Sequence, residues 1–143
     1  MSNLLKKDKG FTLIEIVLVL AIAGLLLVIV FLAVSGAQKS RRDQQRKQDN
    51  ARLLSQIETY AGNNNGTYTG LTGAMLTGAG AYAPSNFNDP LNGGSYTVNV
   101  AGALPACAVP TSAAAAVATV RIVGRTATVR MCLEQGFQDL TNQ

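Results

Sequence analysis

From Phe11 to Val34 the chain carries 24 residues in which Glu15 is the only charge. At about 1.5 Å per residue a helix over this run is roughly 36 Å long, enough to cross a hydrocarbon core of about 30 Å. The pattern then inverts. Gln38–Asn50 is polar on every side, with Lys39, Arg41, Arg42, Asp43, Arg46, Lys47, Asp49 and four glutamines. A helix polar all round is not held by a core, so this stretch predicts a solvated or lipid-headgroup-facing collar supported by side-chain pairs. Asp43 with Lys47 and Asp49 with Arg52 have the i,i+4 and i,i+3 spacings for such pairs. From Ala51 an apolar stripe appears at three- and four-residue spacing (Leu53, Leu54, Ile57, Tyr60, Ala61), and Gly62-Asn63-Asn64-Asn65-Gly66 ends the helix.

Beyond the helix the period changes. Asn63–Gly94 is rich in Gly, Thr and Asn and shows no convincing periodicity, so it reads as loop. Ser95–Val100 alternates, with Tyr96, Val98 and Val100 on one face of a half-buried strand. Val117–Val123 and Thr126–Leu133 flank Gly124-Arg125, a glycine-first hairpin turn. That register pairs Ile122 with Ala127, Val120 with Val129 and Ala118 with Met131, so one face is wholly apolar. A slip of one residue would destroy the sorting. The apolar face is expected to cover the Leu53/Ile57/Tyr60 stripe. These elements define an α+β fold: a long N-terminal helix whose apolar half stays exposed, and a small C-terminal antiparallel sheet of three or four strands packed on the helix's second half. The segments are 1–10, a leader; 11–37, the apolar half of the helix; 38–62, its polar and then amphipathic half; and 63–143, the head.

Charge sharpens this division. The net charge of +4 is distributed as +2 in residues 1–10, −1 in 11–37, +3 in 38–62 and zero in 63–143. Basicity therefore belongs to the leader and one helix, which argues against a nucleic-acid-binding head. The basic leader has targeting character, but the apolar run behind it is too long for a cleaved secretory signal and lacks a small-x-small site at its end. With the leader on the cytoplasmic side, the basic block beyond the apolar run would be translocated, against a simple positive-inside count. A carboxylate inside an apolar span costs about 2.5–3.5 kcal/mol on insertion scales, which makes Glu15 a functional residue by default.

Lys6-Lys7-Asp8-Lys9-Gly10-Phe11-Thr12-Leu13-Ile14-Glu15 and the apolar run after it resemble the processing motif of type IV pilins and the related pseudopilins. The resemblance covers Lys6 to about Tyr68 well and the head loosely. It implies cleavage by a prepilin peptidase on the cytoplasmic side, after Gly10, followed by methylation of the new N-terminus at Phe11. It implies that Glu15 pairs with the N-terminal amine of a neighbouring subunit as apolar helices bundle into a homo-oligomeric filament. The implied partners are the peptidase, an assembly platform and other pilins. The precursor would sit in the cytoplasmic membrane with its N-terminus in the cytoplasm, and the assembled subunit on the extracellular surface. Many pilins break this helix with a proline, and here none lies between Phe11 and Gly62. Gly24 and Ser35-Gly36 are the weak points if the helix melts locally, and a continuous helix is the stronger expectation.

Other chemistry is sparse. Cys107 and Cys132 form an even pair in an exported domain, which suggests a disulfide. Cys132 should face away from the apolar side of the hairpin, where the loop around Cys107 can reach it; the alternative is two free thiols. Two thiols without a histidine make no zinc site, and no metal or cofactor is expected. Asp89 in Asp89-Pro90-Leu91-Asn92-Gly93-Gly94 could suit calcium, but a lone carboxylate there reads first as a turn former. Lys39, Arg41, Arg42, Arg46 and Lys47 could contact DNA or another anionic surface. The chain has no histidine, no phosphate-binding glycine loop and no carboxylate pair in a recognisable motif, so an enzyme is not expected. Three functions compete: a structural pilin of a surface fibre for adhesion, twitching or DNA uptake; a pseudopilin of a secretion or competence machine; and a bitopic anchor for a binding domain that never assembles. Glu15 speaks against the last.

Overall fold

The computed structural model describes residues 10–111 and 116–142, so the leader lysines lie outside the described residues. One helix, α1 (Leu13–Asn63), is followed by a short 3-10 helix, Gly73–Leu76. Four strands complete the chain: β1 (Thr97–Ala101), β2 (Val117–Val123), β3 (Thr126–Leu133) and β4 (Gly136–Thr141). Two compact units result, residues 1–37 and 38–143.

In the first unit every described residue is exposed. Its helical part contains no proline, which permits the unbroken hydrogen-bond ladder. Ser35 donates its hydroxyl to the carbonyl of Leu32 at 3.1 Å. α1 is long and apolar enough to cross a membrane, and it is the only such helix among the described residues.

The second unit is built on the stripe. Leu53 and Ile57 are completely buried and Tyr60 nearly so, packed with Val98, Ala118, Val120, Ala127, Val129 and Met131 from the sheet. The β2–β3 hairpin has the register that the sequence demands: Ala118 opposite Met131, Val120 opposite Val129, Ile122 opposite Ala127. Gly124 opens the turn at φ 62°, a conformation that favours glycine. α1 runs two residues past Ala61 before Asn65 and Gly66 take positive φ and the Gly66 N–H caps the Ala61 carbonyl at 2.8 Å.

The sheet departs from expectation in one respect: it is mixed rather than wholly antiparallel. Its order is β1-β2-β3-β4, with β1 parallel to β2 and the other pairs antiparallel. A parallel pair needs a crossover of a dozen or more residues, and residues 102–116 supply one. β1 keeps the foreseen facing, with Tyr96 and Val98 buried and Val100 partly so. At Gly73 the 3-10 helix meets β1 so closely that an added Cβ would collide with the Val98 carbonyl oxygen. β4 pairs with β3 through a two-residue turn at Glu134-Gln135, and Arg130 and Asp139 face each other across it at 2.7 Å.

Cys107, within the crossover, is disulfide-bonded to Cys132 on β3, and among the described residues no cysteine is free. The bond fastens the longest connection in the sheet to its central hairpin. With the two cysteines 25 positions apart, replacing both by serine should lower the unfolding free energy by about 3–3.5 kcal/mol on the chain-entropy estimate. Urea unfolding of the full chain in detergent checks this, and a loss well under 1 kcal/mol would show that packing alone holds the crossover.

Candidate assembly site

Gly10 and Phe11 precede the first helical residue, and Phe11 is 84% exposed. Thr12-Leu13-Ile14-Glu15 then forms a capping box, in which the first and fourth residues satisfy each other's backbone donors. The Thr12 N–H donates to Glu15 Oε2 at 2.8 Å, the Thr12 hydroxyl donates to the same oxygen at 2.7 Å, and the Glu15 N–H reaches the Thr12 oxygen at 3.4 Å. A Thr-x-x-Glu signature ahead of an apolar run is the sequence signal for such a box. Both Thr12 donors occupy Oε2, and Oε1 accepts nothing among the described residues. A carboxylate at the head of an apolar helix is thus half satisfied by its own chain, with one oxygen left for a donor from elsewhere.

The flanks of this site are apolar and uncovered. Leu13, Ile14, Leu18, Leu20, Leu25, Phe31 and Leu32 are each more than half exposed. Water is a poor medium for such a surface, at about 25 cal/mol per Å² of apolar area, so it calls for lipid or for other helices.

In the second unit the polar stretch of α1 is solvated on one side only, not all round as its composition predicts. Asp43, Arg46, Asp49 and Asn50 are buried, and Arg46 is fully so. Its guanidinium donates to Asp89 at 2.6 Å, to Asp43 at 3.0 Å and to Glu134 at 3.1 Å. Arg42 adds a two-bond pair to Glu134, at 2.6 and 2.9 Å. The anticipated Asp43–Lys47 pair does not form. Asp43 turns inward instead, accepting from Arg46 and from the backbone N–H groups of Glu134 and Gln135. The Asp49–Arg52 pair does form, at 3.1 Å, and Asp49 also accepts from the Tyr96 hydroxyl at 3.0 Å. Asp89 holds no room for a calcium reading, because Arg46 and the N–H groups of Leu91 and Ala116 occupy its oxygens. Arg42 and Arg46 are consumed in this cluster and are withdrawn from any anionic surface. Lys39, Arg41 and Lys47 stay exposed. Arg46 and Glu134 could not have been paired from sequence, since 88 positions separate them.

Burial and pairing move the titrations in opposite directions. The Arg42 hydrogen bond, aided by Arg46, lowers the Glu134 carboxyl to about 2, whereas burial raises Asp49 despite its bonds to Tyr96 and Arg52. Burial and the neighbouring Asp49 push the Tyr96 hydroxyl upward.

The chain carries the prokaryotic N-terminal methylation motif, whose family model matches residues 5–31 and so takes in Gly10, Phe11 and Glu15. This is the leader signature of type IV pilin-like proteins. No curated protein and no solved structure matches the chain.

Two expectations follow from the buried cluster. Arg46→Ala leaves three carboxylates facing one another and should cost about 3–5 kcal/mol, while Arg52→Ala, at the exposed rim, should cost under about 1 kcal/mol; equilibrium unfolding in urea compares them. Glu134 has its carboxyl lowered in the folded chain, so its contribution is present above pH about 4.5 and is lost as pH falls toward about 2. Glu134→Gln should flatten the stability profile across that window, and an unchanged slope would assign the acid sensitivity elsewhere.

Proposed function

We propose that this chain is a structural, non-enzymatic subunit of a type IV pilus or pilus-like filament. A prepilin peptidase cuts after Gly10, the new N-terminal amine of Phe11 is methylated, and the apolar part of α1 passes from the membrane into the filament core. Glu15 pins the register of that core. Its free oxygen accepts the charged amine of a neighbouring Phe11, and the pair selects one axial stagger among many for otherwise featureless apolar helices. Breaking such a pair in a dry core costs about 3–5 kcal/mol, enough to decide between staggers. The partners are other copies of this chain, other pilin-like subunits and their assembly platform. The precursor resides in the cytoplasmic membrane with its leader in the cytoplasm, and the assembled form lies outside the cell.

The observation that carries this reading is the coincidence, within residues 5–31, of the methylation motif, the Gly10-Phe11 junction, the half-satisfied Glu15 and a wholly uncovered apolar helix surface. A plain membrane anchor needs only the last of these. The disulfide-closed head fits display in an oxidising compartment.

Intact mass and N-terminal sequence of the protein in sheared cell-surface material test it first. The expected chain begins at N-methylated Phe11 and is two hydrogens light from the Cys107–Cys132 bond. Abundance in that fraction marks a fibre subunit, and the same processed chain confined to the envelope marks a pseudopilin. A chain that still carries its leader, found only in membranes, would overturn the filament reading in favour of a bitopic anchor. Glu15→Val should leave cleavage and membrane insertion intact and abolish the sheared form.

A further inference from the structure

The folded second unit rearranges the charges of α1 in a way that exposes a purely basic ring. Asp43 and Asp49 are the only carboxylates between Gln38 and Ile57, and both are turned inward and bonded. Arg42, Arg46 and Arg52 are taken up by Glu134, Asp89, Asp43 and Asp49. Lys39, Arg41 and Lys47 are left exposed, and among the described residues no ion pair engages them. Lys39 and Arg41 stand about 3 Å apart along the helix but about 200° apart around it, so they point to opposite sides at one level. Lys47 lies about 20 Å of helix beyond Val34, too far out to share that level.

We propose that Lys39 and Arg41 form a cationic collar that binds the phosphates of anionic phospholipid headgroups around the helix before filament assembly. The inference rests on the reading that the apolar part of α1 spans a membrane. Lys39 and Arg41 follow the last residue of the apolar run, Val34, by five and seven positions, or about 7–10 Å of helix, which is headgroup depth. Cations on opposite sides at one level fit a layer that surrounds the helix. A nucleic acid strand lying along one face would instead need its cations in line. The collar also gives a reason for positive charge on the exit side, where a charge count alone disfavours it. Neutralising Asp43 and Asp49 inside the fold leaves its attraction to phosphate undiminished.

The test reconstitutes the full chain in vesicles of phosphatidylcholine mixed equally with phosphatidylglycerol and reads the relative association of spin-labelled phosphatidylglycerol over phosphatidylcholine. The wild-type chain should prefer phosphatidylglycerol by severalfold at low salt, and the preference should shrink as salt is raised. The variant Lys39→Gln/Arg41→Gln should lose most of that preference while staying inserted. The leader lysines are common to both chains, so the difference reports the collar. An inserted wild-type chain without preference, or a variant that keeps it, overturns the collar alone. A chain stripped from the vesicles by alkaline carbonate overturns the membrane-spanning reading and the collar with it. Retention of a single-stranded oligonucleotide through the same two residues, with no lipid preference, assigns them to nucleic acid and overturns the proposal.

Discussion

A completely buried guanidinium is tolerable only if every face of it meets an acceptor, and the second unit of this protein is assembled around that requirement. Arg46 lies on α1, and its acceptors come from three places: Asp43 one turn away, Asp89 in the loop before β1, and Glu134 in the β3–β4 turn. Each acceptor then does a second task. Asp89 receives the Ala116 N–H at 2.6 Å and so positions the entry to β2, and Asp43 receives the N–H groups of the β3–β4 turn. A single arginine thereby links the helix, the loop, the crossover and the hairpin. Buried ion pairs of this kind contribute little net stability relative to apolar packing, but they punish every alternative arrangement, because a misplaced partner leaves an uncompensated charge. The apolar stripe supplies the attraction between helix and sheet. The ion cluster constrains where along the helix the sheet sits.

The first unit obeys the opposite rule. Nothing in residues 11–37 is satisfied by tertiary structure, apart from the local capping box that engages one oxygen of Glu15. Its apolar side chains project all round the helix, which marks a segment meant for an apolar surrounding rather than for one side of a core. The two units thus divide the physical work. One closes its polar and apolar demands within the chain, and the other leaves both open: an apolar surface and one carboxylate oxygen. A filament core of like helices would answer both demands at once, and a lipid bilayer would answer only the first.

Most of the fold was legible because its determinants are local. The membrane-length run, the helix end at Gly62–Gly66 and the β2–β3 hairpin rest on apolar length, turn chemistry and alternation, each decided within one continuous stretch of about two dozen residues or fewer. β4 was harder to read: Gly136–Thr141 carries only Phe137 and Leu140 as large apolar residues, and its alternation is incomplete. The parallel pairing of β1 with β2 escaped because direction depends on where the 102–116 connection runs, and no local pattern encodes that. The basic stretch of α1 misled for the same reason. Polar spacing identified Asp49 with Arg52, which are neighbours on one helix, but it also suggested Asp43 with Lys47, which the head outbids.

By itself the sequence determined what is set by composition and short-range spacing: an apolar helix that needs an outside partner, a Gly10-Phe11 junction with its carboxylate four positions on, an amphipathic stripe, and a hairpin with one allowed register. Only the tertiary structure decided which charges are inside. Arg42 and Arg46 look like surface cations in a linear reading, and Lys39 and Arg41 look no different from them. The distinction arises because Asp89 and Glu134, more than forty positions downstream, are carried to Arg46 by the folding of the sheet. Electrostatic pairing acts through space over a few ångströms, and sequence distance does not record it.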